Sequence, residues 1–426
     1  VSRTLKLFEG YGIELEYMLV DRRTLQVKPV ADDVLREANG DAGGAYVNEV
    51  ALGQTAWSNE LVMHVLEMKT NGPAPSLEPL PELFQADLKR LNVMLAKKNA
   101  MVLPTAMHPF FDPDKETRLW PHDSAEIYDA YNRLFDCRGH GWSNLQSIHI
   151  NLPFSGDEEF GRLHAAIRLA LPILPALAAS SPIFGGKASG TMDSRLEFYR
   201  HNQRRIPELT GGVIPEQAFT EAAYKEKVYG PINRAIRPLD PDGILEDVWL
   251  NSRGAIARFD RDAIEIRVLD IQESPRMDGA VIAAVVAAVM GQVREAFEPL
   301  AKQQAWAPEP LRPLFVQCVQ GGSDAVIADD AFLRAWGWTK GAPLTGAQLW
   351  AHIMERLVGK AGYPLAKFAR DVAAITDRGC LAKRILRAVA TSEGGKASAS
   401  EADRIHAVYT RLAAVLESGG MFDGTP

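Results

Sequence analysis

Residues 12–20, within GIELEYMLVD, form an apolar run with no polar face, as expected of a short internal strand covered on both sides, yet the run carries Glu14 and Glu16. After a glycine-rich loop, GDAGGAY at 40–46, the stretch SNELVMHVLEMKTNGPAP at 58–75 has mixed periodicity and stops at NGP, a turn signal. Residues 78–100 repeat apolar positions at helical spacing with charges between them, which predicts an amphipathic helix. A loop-like segment at 108–123 precedes NLQSIHINLPF at 144–154, which alternates like a strand. Residues 158–179 are helical by pattern, and SSPIFGGKASG at 180–190 reads as a Gly/Ser loop. The stretch 250–275, LNSRGAIARFDRDAIEIRVLDIQESP, predicts two short strands joined by the turn DRDA. From 276 the pattern is almost wholly helical, with helices near 277–302, 330–336, 345–358, 364–390 and 400–417 and a flexible linker, TSEGGKASAS, at 391–400. The reading is a mixed α+β region over 1–295 followed by a helical region over 296–426.

Composition narrows the class of partner. The chain of 426 residues is 46% hydrophobic and 24% charged, as in ordinary globular proteins, and is long enough for two or three domains. A net charge of −7 lacks the basic footprint of a general nucleic-acid binder, so small molecules are the expected partners, and a homo-oligomer is compatible with that. Three widely spaced cysteines, Cys137, Cys318 and Cys380, form no CxxC and argue against a disulfide framework or a thiolate zinc site. VSRTLKLFEG carries no long apolar run, its start at Val reads as a trimmed initiator or tag, and the expected location is the cytoplasm. The most membrane-like stretch, GAVIAAVVAAVMGQV at 279–293, is shorter than the ~18–20 residues of a span and suits a buried helix.

The chemistry begins with parity. In a strand, residues i and i+2 share a face, so Glu14 and Glu16 project together. Two buried like charges are costly unless one is protonated or both meet cations. An edge strand with a solvated carboxylate face is the better account of an isolated ExE, so other features must decide. In AIEIRVLD, Glu265 and Arg267 share one face while Ile264, Ile266 and Val268 take the other. In SIHINLPF, His149 and Asn151 face away from Ile148, Ile150 and Leu152. ELVMHVLE allows two readings: as a helix it stacks Glu60, His64 and Glu67, and as a strand it puts Glu67 with Met63 and Val65.

Several glutamates and a histidine in apolar contexts suit a hard divalent cation, Mg²⁺ or Mn²⁺, and Mg²⁺ commonly reaches substrate phosphates, which makes ATP the natural partner. The arginines of SRLEFYRHNQRR at 194–205, with Arg253, Arg258 and Arg267, are candidates for bidentate contacts to phosphate and to a carboxylate substrate. The loops GDAGG and IFGGKASG match neither a P-loop nor a dinucleotide fingerprint, and no GxSxG, HExxH or zinc-finger spacing occurs.

GIELEY, NELVMHVLEMKT, NLQSIHINLPF, SSPIFGGKASGTMDSR and AIEIRVLDIQESP, in that order over roughly residues 10–275, resemble the glutamate–cysteine ligase family, in its bacterial carboxylate–amine ligase branch. The resemblance implies an α+β, glutamine-synthetase-like fold: an antiparallel sheet funnel flanked by helices, with a helical C-terminal region. It implies an ATP-dependent reaction in which the γ-carboxylate of glutamate is phosphorylated and an amine displaces phosphate. Carried over by position, it makes Glu14, Glu16, Glu60, Glu67, His149 and Glu265 metal ligands. Arg267 would face ATP phosphate and the reacting carboxylate, and Arg195 the substrate carboxylate. Lys187, Arg253 and Arg258 are nucleotide or substrate contacts on the same basis. The acceptor, cysteine or another amine, stays open, because no feature recognises a thiol. A guanidino-kinase-like phosphotransferase and a catalytically silent nucleotide-binding or interaction protein are the alternatives.

Overall fold

Alternation and apolar runs resolve into strands whose pairing fixes most of the candidate side chains. The computed structural model describes residues 4–40, 44–245, 247–391 and 400–425, so the linker expected at 391–400 lies, but for its two end residues, outside the described residues, as do 41–43 of the first glycine-rich loop. The strands up to residue 270 are β1 (Gly12–Asp21), β2 (Glu49–Ala51), β3 (Thr55–Asn59), β4 (Val65–Thr70), β5 (Ala100–Leu103), β6 (Ser147–Pro153), β7 (Ile183–Phe184), β8 (Lys187–Ala188), β9 (Ala255–Arg258) and β10 (Ala263–Asp270). Eight of them form one sheet in the order β2-β3-β4-β1-β6-β10-β9, with β5 paired to the second half of β1. Every pairing in it is antiparallel. Strand β1 is therefore internal, and the edge-strand reading of its two glutamates falls.

ELVMHVLEMKT takes the strand reading from Val65 onward, because β4 finds hydrogen-bonding partners on both sides, in β1 and β3. The Gly/Ser loop at 180–190 contains the hairpin β7–β8, turned by Gly185 (φ +59°) and Gly186 (φ +75°). A two-residue turn with positive φ at both centres is the geometry glycine supplies without steric cost. The helix expected at 277–302 ends at Val293 and resumes as Leu300–Ala305, and that at 364–390 breaks at Gly379 into Ala369–Arg378 and Leu381–Thr391. Helix Pro308–Gly321 was hidden from the pattern by its own prolines, one of which, Pro313, sits inside it.

The rear of the sheet is apolar: Ile13, Leu15 and Tyr17, Leu66 and Met68, Ile148, Ile150 and Leu152, Ile264 and Ile266 are all buried. Helix Pro275–Val293, buried at every position but Arg276, packs there with Leu80–Ala96 and Gly156–Ala170. Among the described residues, Gly156–Ala178 and Pro275–Val293 are long and apolar enough to cross a membrane, but 94% of the most apolar window of each is covered by the fold. Residues on both sides of position 295, from Tyr11 to Leu416, share this rear core.

The front of β1 changes character along its length. Glu14 and Glu16 are followed on the same face by Met18 and Val20, which are buried with Ile385, Leu412 and Phe422 of the C-terminal segment. That segment, helices Leu381–Thr391 and Glu401–Ser418 and the tail after them, is tied to the loop after β10 by the wholly buried Glu273–Arg384 ion pair, and Arg384 also donates to the Phe422 carbonyl. Removing one member of such a pair costs about 3–5 kcal/mol, because the other charge is left uncompensated. The region past 296 thus supports the sheet from behind and closes the front beyond the acidic pair.

At the rear, the Tyr17 hydroxyl donates to Asp278 Oδ2 at 2.9 Å and the Gln272 amide donates to Oδ1 at 2.7 Å, pinning β1 to the central helix. Burial pushes the Asp278 carboxyl up to about 8. A folded-state value above the unfolded value of about 4 means that the stability held by the neutral acid is complete below pH ~4 and is lost as pH rises through 8. Asp278→Asn should therefore melt close to wild type near pH 4 and increasingly above it toward pH 8–9. Thermal denaturation across that range checks this, and a pH-independent difference would contradict it.

Candidate active site

Register turns the sequence parity into a place. Glu16 lies opposite Glu67, and Glu14 lies opposite Lys69 on one side and His149 on the other. Asn151 of β6 lies opposite Glu265 of β10. The front of four adjacent strands therefore presents Glu67, Glu14, Glu16, His149 and Glu265 together, and Glu60 joins them from the loop after β3.

Two groups, each able to offer three ligand atoms within 4.8 Å of one another, stand out among the described residues: Glu14, Glu67 and His149, and Glu16, Glu60 and Glu67. They share Glu67, a donor set of carboxylates and one imidazole that suits one or two hard divalent cations. Glu265 is outside both groups. Its carboxylate receives Arg267 Nε at 3.0 Å and Arg258 Nη1 at 3.3 Å, which makes it an anchor for two arginines in this structure.

The face balances its own charge. Glu14 Oε2 meets His149 Nδ1 at 2.8 Å, and Asn151 donates to Glu14 Oε1 at 3.0 Å. The Ser147 amide and hydroxyl donate to Glu16 Oε2 at 2.8 and 3.0 Å, and the same hydroxyl contacts His149 Nε2 at 3.0 Å. Ser58 donates to Glu67 at 2.7 Å, and Lys69 Nζ stands 3.3 Å from it. Burial opposes charge on His149, but the bond to Glu14 and the nearby carboxylates outweigh it and hold the imidazolium up to about 9. Burial and the neighbouring Glu14 push Glu67 up to about 7, and burial with Glu16 and Glu67 lifts Glu60 well above the carboxylate range. Glu14 is held low despite burial by His149, and Glu265 is held at about 2 despite burial by Arg267. Each of these shifts reduces the net negative charge on the face.

The arginines divide sharply. Arg267 and Arg258 lie on the front beside Glu265. Arg195 is buried and ion-paired to Asp270 at 2.5 Å, with Glu16 among the charges that act on it. Arg253, expected as a nucleotide or substrate contact, is committed elsewhere. It grips Glu216 with two bonds of 2.6 and 2.7 Å and donates to the Glu208 and Leu209 carbonyls and to Asn251, so its guanidinium clamps a loop. Lys187 stands exposed on the β7–β8 hairpin, opposite Phe184.

Several partners escaped the sequence reading. Helix Ala125–Phe135 carries Tyr128, whose hydroxyl bonds Asn59 and senses Glu60, and Tyr131, which senses Arg267; Ile127, Tyr128, Tyr131, Leu134 and Phe135 repeat at helical spacing, a signal present in the sequence. Ser147 shares a parity with His149 and was discoverable, since a hydroxyl two residues before a candidate ligand falls on the same face. Asp270 was not. A β-bulge between Ile266 and Leu269 sets Arg267 and Val268 against one residue of β6, so Leu269 returns to the rear and Asp270 to the front, opposite Ser147. The alternation expected for Ile264, Ile266 and Val268 therefore stops at Ile266.

Cation binding must displace the protons on His149 and Glu67, so Mn²⁺ affinity should rise steeply from pH 6 to pH 9 and flatten above. Titration calorimetry at several pH values measures this, and a flat profile would remove both residues from the ligand set. Glu67→Gln, which touches both groups, should weaken Mn²⁺ binding at least about tenfold. Measured without added metal, the variant should melt close to wild type, because glutamine keeps an acceptor for the Ser58 hydroxyl and replaces a carboxyl that burial already pushes toward its neutral form.

With this geometry in place, comparison with known proteins is specific. The chain is 37% identical over 285 residues to an uncharacterised protein of Archaeoglobus fulgidus, a match covering 67% of this chain and 75% of that one. It is 27% identical over 287 residues to a protein provisionally named glutamate–cysteine ligase 2 from Bradyrhizobium sp. strain BTAi1, covering 65% of this chain and 59% of the relative's length. Its fold follows that of the glutamate–cysteine ligase of Francisella tularensis, solved in complex with AMP, with a TM-score of 0.59 at 12% identity over 98% of this chain and 90% of that one. The antiparallel sheet flanked by helices is thus the α+β, glutamine-synthetase-like arrangement. The family model for glutamate-cysteine ligase family 2 (GCS2) matches residues 11–331, which span the whole front face, and the chain belongs to that family.

Proposed function

We propose that the protein is an ATP- and Mg²⁺-dependent carboxylate–amine ligase that joins the γ-carboxylate of glutamate to cysteine or another amine through an acyl phosphate. The observation that carries this reading is the pairing of two three-ligand acidic groups with a bank of arginines on one sheet face. Family membership and the AMP found in the Francisella ligase support the nucleotide. Glu14, Glu67 and His149 would hold one cation and Glu16, Glu60 and Glu67 a second. Bound there, the metal supplies charge neutralisation for a transferring phosphoryl group.

The chain's own residues do the rest. Glu265, kept ionised by Arg267 and Arg258, holds both guanidinium groups on the front so that they can take anionic oxygens of nucleotide and acid. Arg195, beside Arg267, would take the substrate carboxylate, and the line of the two arginines would keep the acid's reacting oxygen facing the phosphate. Tyr128 and Tyr131 set Ala125–Phe135 against this face, where the helix would limit water that competes with the amine for an activated acyl group.

Purified protein given ATP, Mg²⁺, glutamate and a panel of amines should release ADP and phosphate in proportion to amide formed. No release above background on any amine overturns the ligase reading, and a stable phosphorylated product in place of an amide would favour phosphotransfer instead. Glu16→Gln and Glu265→Gln should each lower turnover by about a hundredfold or more while remaining folded, as expected for groups that organise charge in the transition state. Wild-type rates in either variant remove that residue from the machinery.

A further inference from the structure

Asp270, the last residue of β10, is wholly buried and faces front only because the bulge at Arg267–Val268 shifts the phase of the strand. Its carboxylate is held from several directions. Oδ2 accepts the Ser180 amide at 2.8 Å and the Ser181 hydroxyl at 2.7 Å, and Oδ1 accepts Arg195 Nε at 2.5 Å. The Ser181 oxygen also accepts the backbone amide of Arg195 at 3.1 Å, so one hydroxyl links both ends of that residue to Asp270. The short helix carrying Arg195, Ser194–Tyr199, is capped by Asp193, whose side chain accepts from the Leu196 amide at 2.9 Å.

A guanidinium is a planar fork with five donors, and fixing one edge fixes where the other points. With Nε on Asp270, Nη1 reaches the Arg267 carbonyl at 3.4 Å, while Nη2 is buried and meets no acceptor. Arg195 is only 2% exposed, so that open edge is costly to the folded protein unless something else fills it. Besides Asp270 and Asp193, Glu16 of the acidic front acts on this guanidinium, and Nη1 reaches the chain at Arg267. A carboxylate oxygen is the partner that matches a charged, rigidly held N–H in that place.

We infer that Asp270 is a positioning residue. It fixes the plane of Arg195, the arginine that would take the carboxylate of the acid substrate, with Ser180 and Ser181 holding Asp270 in turn. This rests on the ligase reading above, in which Arg195 binds the acid. Asp270 touches no substrate; it acts through Arg195 alone, so its loss should be felt by one substrate and not by the others.

Initial-rate kinetics on the full chain with ATP, Mg²⁺, glutamate and the most active amine of the panel test this. Asp270→Asn keeps size and an acceptor but removes the charge that orients Arg195. It should raise KM for glutamate about tenfold or more, with kcat and KM for ATP within about threefold of wild type. Ser181→Ala should raise the same KM by a smaller factor. Arg195→Lys combined with Asp270→Asn should be no worse for glutamate than Arg195→Lys alone, since the two act as one unit. An unchanged glutamate KM in Asp270→Asn, or a loss spread over kcat and every KM, overturns the inference. If that variant does not fold, an unchanged glutamate KM in Ser181→Ala overturns it. Absence of any glutamate-dependent turnover in the wild type overturns the ligase reading and this inference together. Wild-type turnover with unshifted variants overturns this one alone.

Discussion

Like charges crowded onto a covered sheet face set the terms for the rest of the molecule. Glu14, Glu16, Glu60, Glu67 and Glu265 converge where burial makes each charge expensive, and the protein accommodates them by matching charge locally. His149 is drawn toward its charged form and Glu60 and Glu67 toward their neutral ones, while Arg267 and Arg258 stand against Glu265 and Lys69 against Glu67. Such a face opposes folding, so the stability that permits it has to come from the other side of the sheet.

That side is built accordingly. The same strands that present acids in front place Ile13, Leu15, Tyr17, Ile148, Ile150, Ile264 and Ile266 behind, against a helix with no polar face. The period of two in the strands joins the two jobs: each residue that reaches the cleft is flanked by two that anchor it in the core. The Tyr17–Asp278 bond ties the central strand to that helix one residue after Glu16, so the position of the acid is set by a rear contact. The C-terminal helices close the front where β1 turns from acidic to apolar, which makes them part of the same structure that shapes the cleft.

The arginines show how the fold sorts residues of one type. Arg253 and Arg267 lie on the same stretch of sequence, yet Arg253 is spent on Glu216 and a loop backbone while Arg267 faces the acids. Arg253 precedes β9 and closes a loop, whereas Arg267 lies on β10 beside Glu265. The bulge in β10 acts similarly on Asp270, moving a residue that alternation assigns to the rear onto the working face behind Arg195.

Local order sufficed for much of this. GIELEY, SIHINLPF and AIEIRVLD each show which residues share a face, because alternation along a strand is a property of the chain itself, and the long helices were visible for the same kind of reason. ELVMHVLE stayed ambiguous until β1 and β3 offered it hydrogen bonds, since Val, Leu and Met serve either structure. The grouping of Glu60 with Glu16, the separation of Glu265 from both ligand groups, the commitment of Arg253 and the placing of Asp270 depended on register, a bulge and loop closure. Those arise from contacts between segments far apart in sequence, and no periodicity within a single segment encodes them.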